Sequence, residues 1–194
     1  MVSATHPRLE IGRVQRNYPG EDVCGDAILV SAGANHTLIA VADGLGHGRE
    51  ARHAALAFCD ALAESESSLA DLMRHAHRAI AGTRGVAAMI LRFDHDVGAL
   101  NAVGVGNVEC HALSRSPIRP HSTPGIVGHR LRRVTELTFP TSSGDWLALV
   151  SDGISRRVNV EAYRELDAQR AAELIVQDHS SANDDSSCVV IKVR

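Results

Sequence analysis

The sequence predicts an α+β fold, an α–β–β–α sandwich of two antiparallel sheets flanked by helices. Three observations carry this reading. Strand-like segments come in consecutive runs rather than alternating one by one with helices. Two helices follow one another directly in the first half, and a third precedes the last strand. Three strands, at 37–42, 146–150 and 188–191, are almost continuously apolar, so both of their faces need cover. A doubly wound parallel sheet would alternate strand and helix. Consecutive strands joined by short turns give antiparallel sheets with the helices laid outside. The helix pair then covers one sheet and the late helix the other.

Taken in order, strands are expected near 8–15, 26–31, 36–42, 85–93, 98–105, 107–113, 133–138, 145–151 and 186–193. A helix over 48–64 follows from Ala51, Ala54, Ala55, Phe58 and Leu62, which recur at helical spacing. A second over 68–81 follows from Leu69, Leu72, Met73, Ala76 and Ile80. Ser68 with Asp71 three residues on reads as its capping box, because the hydroxyl can accept a first-turn backbone N–H. A third, near 168–177, would bury Ala171, Leu174 and Ile175.

With 194 residues and no internal repeat or low-complexity linker, residues 1–194 are read as a single domain. A formal net charge of −3 argues against a binder dominated by nucleic-acid phosphates, and 3% aromatic residues leave little for base stacking. Cys24, Cys59, Cys110 and Cys188 are scattered, without the close pairs that structural zinc needs. No basic-then-apolar leader is visible, and no apolar run approaches the ~20 residues of a membrane span. A reduced, cytoplasmic setting without membrane or nucleic-acid partners is the expectation.

The sharpest local pattern is an Asp at the edge of a buried strand. Asp26 opens the 26–31 strand, Asp43-Gly44 closes the 36–42 strand, Asp152-Gly153 follows 145–151, and Asp184-Asp185 precedes 186–193. One such Asp is ordinarily a turn residue. Four at the ends of the most buried strands would crowd and repel if those ends converge, and a hard divalent cation would resolve the repulsion. The first pair runs on into Asp43-Gly44-Leu45-Gly46-His47-Gly48 at a helix start. Glycines there let backbone approach a ligand, and helix N-terminal N–H groups favour anions.

These segments, together with Cys24-Gly25-Asp26, Val150-Ser151-Asp152-Gly153 and Asn183-Asp184-Asp185-Ser186-Ser187, resemble the PPM-type metal-dependent serine/threonine phosphatases. The resemblance is strongest to the bacterial SpoIIE/RsbX branch and spans about residues 20–193. It implies the same sandwich and a site for two ions, Mn²⁺ or Mg²⁺. By this resemblance Asp43 would bridge both metals, and Gly44 would offer its backbone carbonyl. Asp26 would serve the second metal, and Asp152 and Asp184 the first. Asp43 and Asp152 are the residues expected to carry the chemistry, with Asp185 in a supporting role at most. Such a pair of cations lowers the pKa of a bridging water, and the hydroxide attacks phosphorus in line. The implied substrates are phosphorylated STAS-domain proteins of a stressosome.

Two departures from the family stand out. Leu45 occupies the position where many eukaryotic members carry His. Glu21 stands five residues before Asp26, where they carry Arg. A cysteine-phosphatase signature occurs once by spacing, Cys188 to Arg194, but the residues between read as a strand rather than a phosphate-cradling turn. His47 reads as solvent-facing or helix-capping, and His53, His75 and His77 as surface positions on helices. Asp94-His95-Asp96 reads as a hairpin turn, and Val103-Gly104-Val105-Gly106-Asn107 as a tight turn rather than a dinucleotide loop.

Residues 111–133 hold Arg115, Arg119, Arg130, Arg132 and Arg133 without a single Asp or Glu, and three prolines make the stretch loop-like. It is either a solvated loop or a basic rim that steers an anionic phosphoprotein; Arg130, Arg132 and Arg133 are the substrate-contact candidates. Two other functions compete with a protein phosphatase. One is a degenerate phosphatase fold serving as a binding scaffold. The other is a hydrolase of small phosphate esters.

Overall fold

The alternation of side chains along the central strands sorts the apolar residues into three layers. The computed structural model describes residues 8–62 and 67–194. Its strands are β1 (Leu9–Arg16), β2 (Asp26–Ala32), β3 (His36–Gly44), β4 (Val86–Asp94), β5 (Ala99–Val105), β6 (Glu109–Leu113), β7 (Ser122–Thr123), β8 (Leu137–Pro140), β9 (Trp146–Val150) and β10 (Ser186–Val193). The helices are α1 (Gly48–Ala61), α2 (Leu69–Ala79) and α3 (Ala168–His179), with a short 3₁₀ turn at Val160–Tyr163. One sheet has the order β1-β10-β9-β6 and the other β2-β3-β4-β5-β7, with β8 also paired to β5.

Along β3, Leu38, Ala40 and Ala42 face one core while Ile39 and Val41 face another. The first core lies under α1 and α2, where Ala54, Phe58, Leu69, Met73 and Ala76 meet the sheet. The second lies between the sheets, where Ile39, Val41, Met89 and Leu91 meet Leu147, Leu149, Val189 and Ile191. The third lies under α3, where Ala148, Val150, Cys188 and Val190 meet Ala171, Ala172 and Ile175. Strands buried on both faces are the reason for the continuous apolar runs. The architecture is the expected α–β–β–α sandwich.

Ser68 caps α2 by accepting the Asp71 N–H at 3.1 Å, as the capping box requires. The end of the expected 48–64 helix, residues 63–64, lies outside the described residues. The strand expected at 133–138 forms instead at Leu137–Pro140, antiparallel to Ala99–Ala102. Leu131 and Val134 pack against the core under α1 and α2 from outside the strands, which imitates a strand pattern. β7 joins β5 in parallel over two residues, so that sheet is mixed rather than purely antiparallel. No helix is long and apolar enough to cross a membrane among the described residues.

Candidate metal centre

Strand pairing brings the four acidic motifs to one end of the sandwich. Asp26 and Asp43 are direct partners across β2 and β3. In the opposite sheet, Val150 pairs with Cys188, so the segments that leave β9 and enter β10 lie side by side, and Ser151 N–H donates to the Ser187 carbonyl at 3.1 Å. Two glycines allow the closest approaches. A methyl group on Gly153 would lie 1.9 Å from the carbonyl oxygen of Asp185, so Asp152-Gly153 rests directly on Asp184-Asp185. A methyl group on Gly44 would lie 2.2 Å from the Ala51 carbonyl oxygen and 2.8 Å from that of Gly25. Gly44 is thus clamped between α1 and the turn that carries Asp26.

The two sheets are stitched together at this end by hydroxyls. Ser151 Oγ–H donates to Asp26 Oδ2 at 2.7 Å and accepts the Ser187 N–H at 2.9 Å. Asn107, at the turn before β6, donates through Nδ2 to Asp152 Oδ2. Asp185 accepts the Tyr18 N–H at 2.8 Å. Its Oδ2 is buried without a hydrogen-bond partner among the described residues. From Asp26 (1% exposed) through Asp43 and Asp184 to the exposed Asp152, the carboxylates run from the interior to solvent.

Their electrostatics show that they face one another. Burial pushes the Asp43 carboxyl up to about 9, and the charges of Asp26, Asp152 and Asp184 push in the same direction. Burial pushes Asp26 up to about 7; the Ser151 and Ser187 hydrogen bonds oppose this, and the charges of Asp185 and Asp152 add to it. Asp184 is raised by burial and by Asp152, while His47 acts the other way. Among the described residues no group of three or more His, Cys, Asp or Glu side chains is arranged as it stands to hold a metal ion. Asp26 and Asp152 are turned toward Ser151 and Asn107 instead. The donor set nevertheless fits a hard divalent cation: only oxygens converge, their mutual repulsion calls for positive charge, and Asp185 Oδ2 has no proton donor.

The family model described as Stage II sporulation protein E (SpoIIE) matches residues 33–194. The chain belongs to the SpoIIE family. This SpoIIE-family chain is 27% identical to phosphoserine phosphatase RsbX of Bacillus subtilis (strain 168) over 145 residues, 73% of this chain and 72% of that protein. A structure from work on the bacterial stressosome as a modular system for secondary-messenger signalling superposes with a TM-score of 0.91. It is 32% identical and covers 95% of this chain and 100% of its own. RsbX in complex with magnesium superposes with a TM-score of 0.88 at 19% identity, covering 100% of this chain and 99% of its own, a likeness of fold. The fold is shared more widely: the Mycobacterium tuberculosis serine/threonine phosphatase PstP/Ppp superposes with a TM-score of 0.71 at 20% identity, covering 96% of this chain and 99% of its own.

The surroundings of the centre differ in part from the sequence reading. His47 occupies the N-cap position of α1 but its side chain makes no cap. Nδ1 lies 2.6 Å from Glu21 Oε1, and the ring stacks on Tyr18 with centroids 4.2 Å apart. This trio lies at the rim of the SpoIIE-type site, close enough for His47 to act on Asp184. Among the other histidines, His53 and His75 are exposed as expected, while His77 is half-buried and accepts the Gly128 N–H at 2.9 Å. His95 is in the expected hairpin turn but is buried, its Nε2 2.9 Å from Thr37 Oγ1.

Cys188 is fully buried within β10. Burial holds its thiol protonated. A strand from Ser186 to Val193 cannot curl Arg194 back over it, so the cysteine-phosphatase pattern is an accident of spacing.

Arg130, Arg132 and Arg133 are exposed, and none forms an ion pair among the described residues. Arg130 and Arg132 line a cavity of about 340 Å³ with Pro124, Gly125 and Ile126. A second cavity of about 330 Å³ adjoins Asn107 and is lined by Glu109, His121 and Arg156. Sequence reasoning missed Ser151, Ser187, Asn107 and Tyr18. Ser151 and Ser187 stand beside the acidic motifs in the sequence, whereas Asn107 and Tyr18 carry no such signal, since their bonds to Asp152 and Asp185 span 45 and 167 residues.

Proposed function

We propose that the chain hydrolyses phosphoserine or phosphothreonine on a protein of a stress-signalling assembly, a stressosome STAS-domain protein by the family resemblance. Residues 1–194 act as one cytoplasmic catalytic domain. The observation that carries this is the convergence of Asp26, Asp43, Asp152 and Asp184 on one end of the sandwich, with Asp43 raised by all three of the others. Asp43 and Gly44 would hold two Mn²⁺ or Mg²⁺ ions, Asp26 one of them, and Asp152 and Asp184 the other. When bound, such cations would supply a hydroxide nucleophile at neutral pH and offset charge on the phosphoryl group. The protein's own part is to hold the carboxylates. Ser151 and Ser187 fix Asp26, and Asn107 orients Asp152.

The test is phosphate release from a panel of phosphoserine proteins, para-nitrophenyl phosphate and small phosphate metabolites, in Mn²⁺ and in a chelator. Release from phosphoproteins that stops in the chelator is expected. Faster turnover of metabolites would favour a small-ester hydrolase. Manganese binding without any turnover would favour a scaffold.

The basic rim serves recognition in this reading. Arg130, Arg132 and Arg133 attract an anionic protein surface through exposed, salt-screened contacts, each of them weak. Replacing the three together by Ala should raise KM for the phosphoprotein and flatten its salt dependence, with a much smaller effect on para-nitrophenyl phosphate. Equal loss on both substrates would place these arginines in the fold or the centre, and no loss on either would leave them as solvated surface.

A further inference from the structure

By the family resemblance, many eukaryotic members carry Arg five residues before Asp26; here that position is Glu21, whose Oε1 lies 2.6 Å from His47 Nδ1. A carboxylate there would repel a phosphate monoester. A positive side chain elsewhere at the site would offset that repulsion. Arg52 reaches the centre, but its guanidinium already donates to the backbone carbonyl of Asp26.

Arg84 comes from the opposite side of the Gly-rich loop. It stands in the turn between α2 and β4, and that turn is pinned to the loop. Leu45 N–H donates to the Gly85 carbonyl at 3.1 Å, and Gly44 pairs with Val86 in the sheet. The Arg84 side chain folds back across the loop, because a methyl group on Gly46 would lie 2.8 Å from its Nη1. Gly46 has φ +86°, so this position calls for glycine both for its backbone and for the room beneath the guanidinium. Arg84 is exposed and pairs with no carboxylate among the described residues. The planar fork of an unpaired arginine matches two phosphate oxygens at once.

We infer that Arg84 binds the substrate's phosphoryl group, taking from the α2–β4 turn the part that Glu21 cannot play. This rests on the phosphatase reading above. It differs from the role of the basic rim, because an arginine on the phosphate itself acts on every ester, large or small.

The test compares wild type with Arg84→Ala and Arg84→Lys in the full chain. Inorganic phosphate is titrated into the Mn²⁺-loaded proteins by calorimetry and used as a competitor of para-nitrophenyl phosphate hydrolysis. Arg84→Ala should weaken phosphate about tenfold or more, and raise KM for para-nitrophenyl phosphate and for a phosphopeptide alike. Manganese affinity and melting temperature should match wild type. Arg84→Lys should fall between, keeping the charge without the fork. Unchanged phosphate affinity in Arg84→Ala overturns the assignment, as does an equal loss of manganese affinity. If the wild type hydrolyses no ester, the phosphatase reading falls, and the calorimetric phosphate titration still decides whether Arg84 binds the anion.

Discussion

Asp43→Asn should abolish phosphate-ester hydrolysis while leaving the protein folded and, without metal, more stable. Asp43 lies at the end of β3, paired with Asp26 and pushed upward by burial and by three neighbouring carboxylates. An amide of the same shape removes one member of that repulsive group without opening a cavity. It also removes the charge proposed to be shared by both cations. Metal assistance supplies several kcal/mol of transition-state stabilisation, so a loss of about 10³-fold or more in kcat is expected, tenfold for each ~1.4 kcal/mol. The checks are initial rates at saturating Mn²⁺ and thermal melts in a chelator. Wild-type turnover by the folded variant would remove Asp43 from the centre.

The second large effect is on stability, and its sign follows from the raised carboxyls. Folded Asp26 and Asp43 titrate at about 7 and about 9, whereas an unfolded Asp titrates at ~3.9. Between these limits the folded site keeps protons that the unfolded chain has released. The metal-free protein should therefore lose stability as pH rises from about 4 toward 9, and show no such loss below about 4, where both states are protonated. A cation needs the ionised carboxylates, so its binding displaces protons and tightens with pH. At a concentration of about 100 times its dissociation constant a bound ion contributes about 2.7 kcal/mol, or some 5–10 °C in a chain of this size. The rise in melting temperature with Mg²⁺ should be small at pH 6 and reach that range by pH 8.5. A shift that is absent, or that shrinks as pH rises, would contradict a carboxylate metal site.

Much of this was legible in the chain because the physics that shapes it is local. Strands at 37–42 and 146–150 are almost continuously apolar since cores lie on both of their faces. The Asp residues stand out because each sits at the end of an apolar run. What holds those Asp residues was not legible. Ser151 meets Asp26 and Asn107 meets Asp152 across gaps of 125 and 45 residues, and such pairs leave no periodic trace. His47 was read apart from Glu21 for the same reason, although 26 residues on, β2 and β3 bring the two together. The strand placed at 133–138 shows a different limit: Leu131 and Val134 are apolar to seal a core, not to pair in a sheet.

Cations held by Asp26, Asp43, Asp152 and Asp184 are the centre of the proposed function. Calorimetric titration of Mn²⁺ into the chelator-stripped chain at neutral pH tests it most directly. Two ions per chain should bind with release of protons, and Asp43→Asn should lose that binding while its melt remains cooperative. No binding at millimolar Mn²⁺, or binding that Asp43→Asn leaves unchanged, would contradict it.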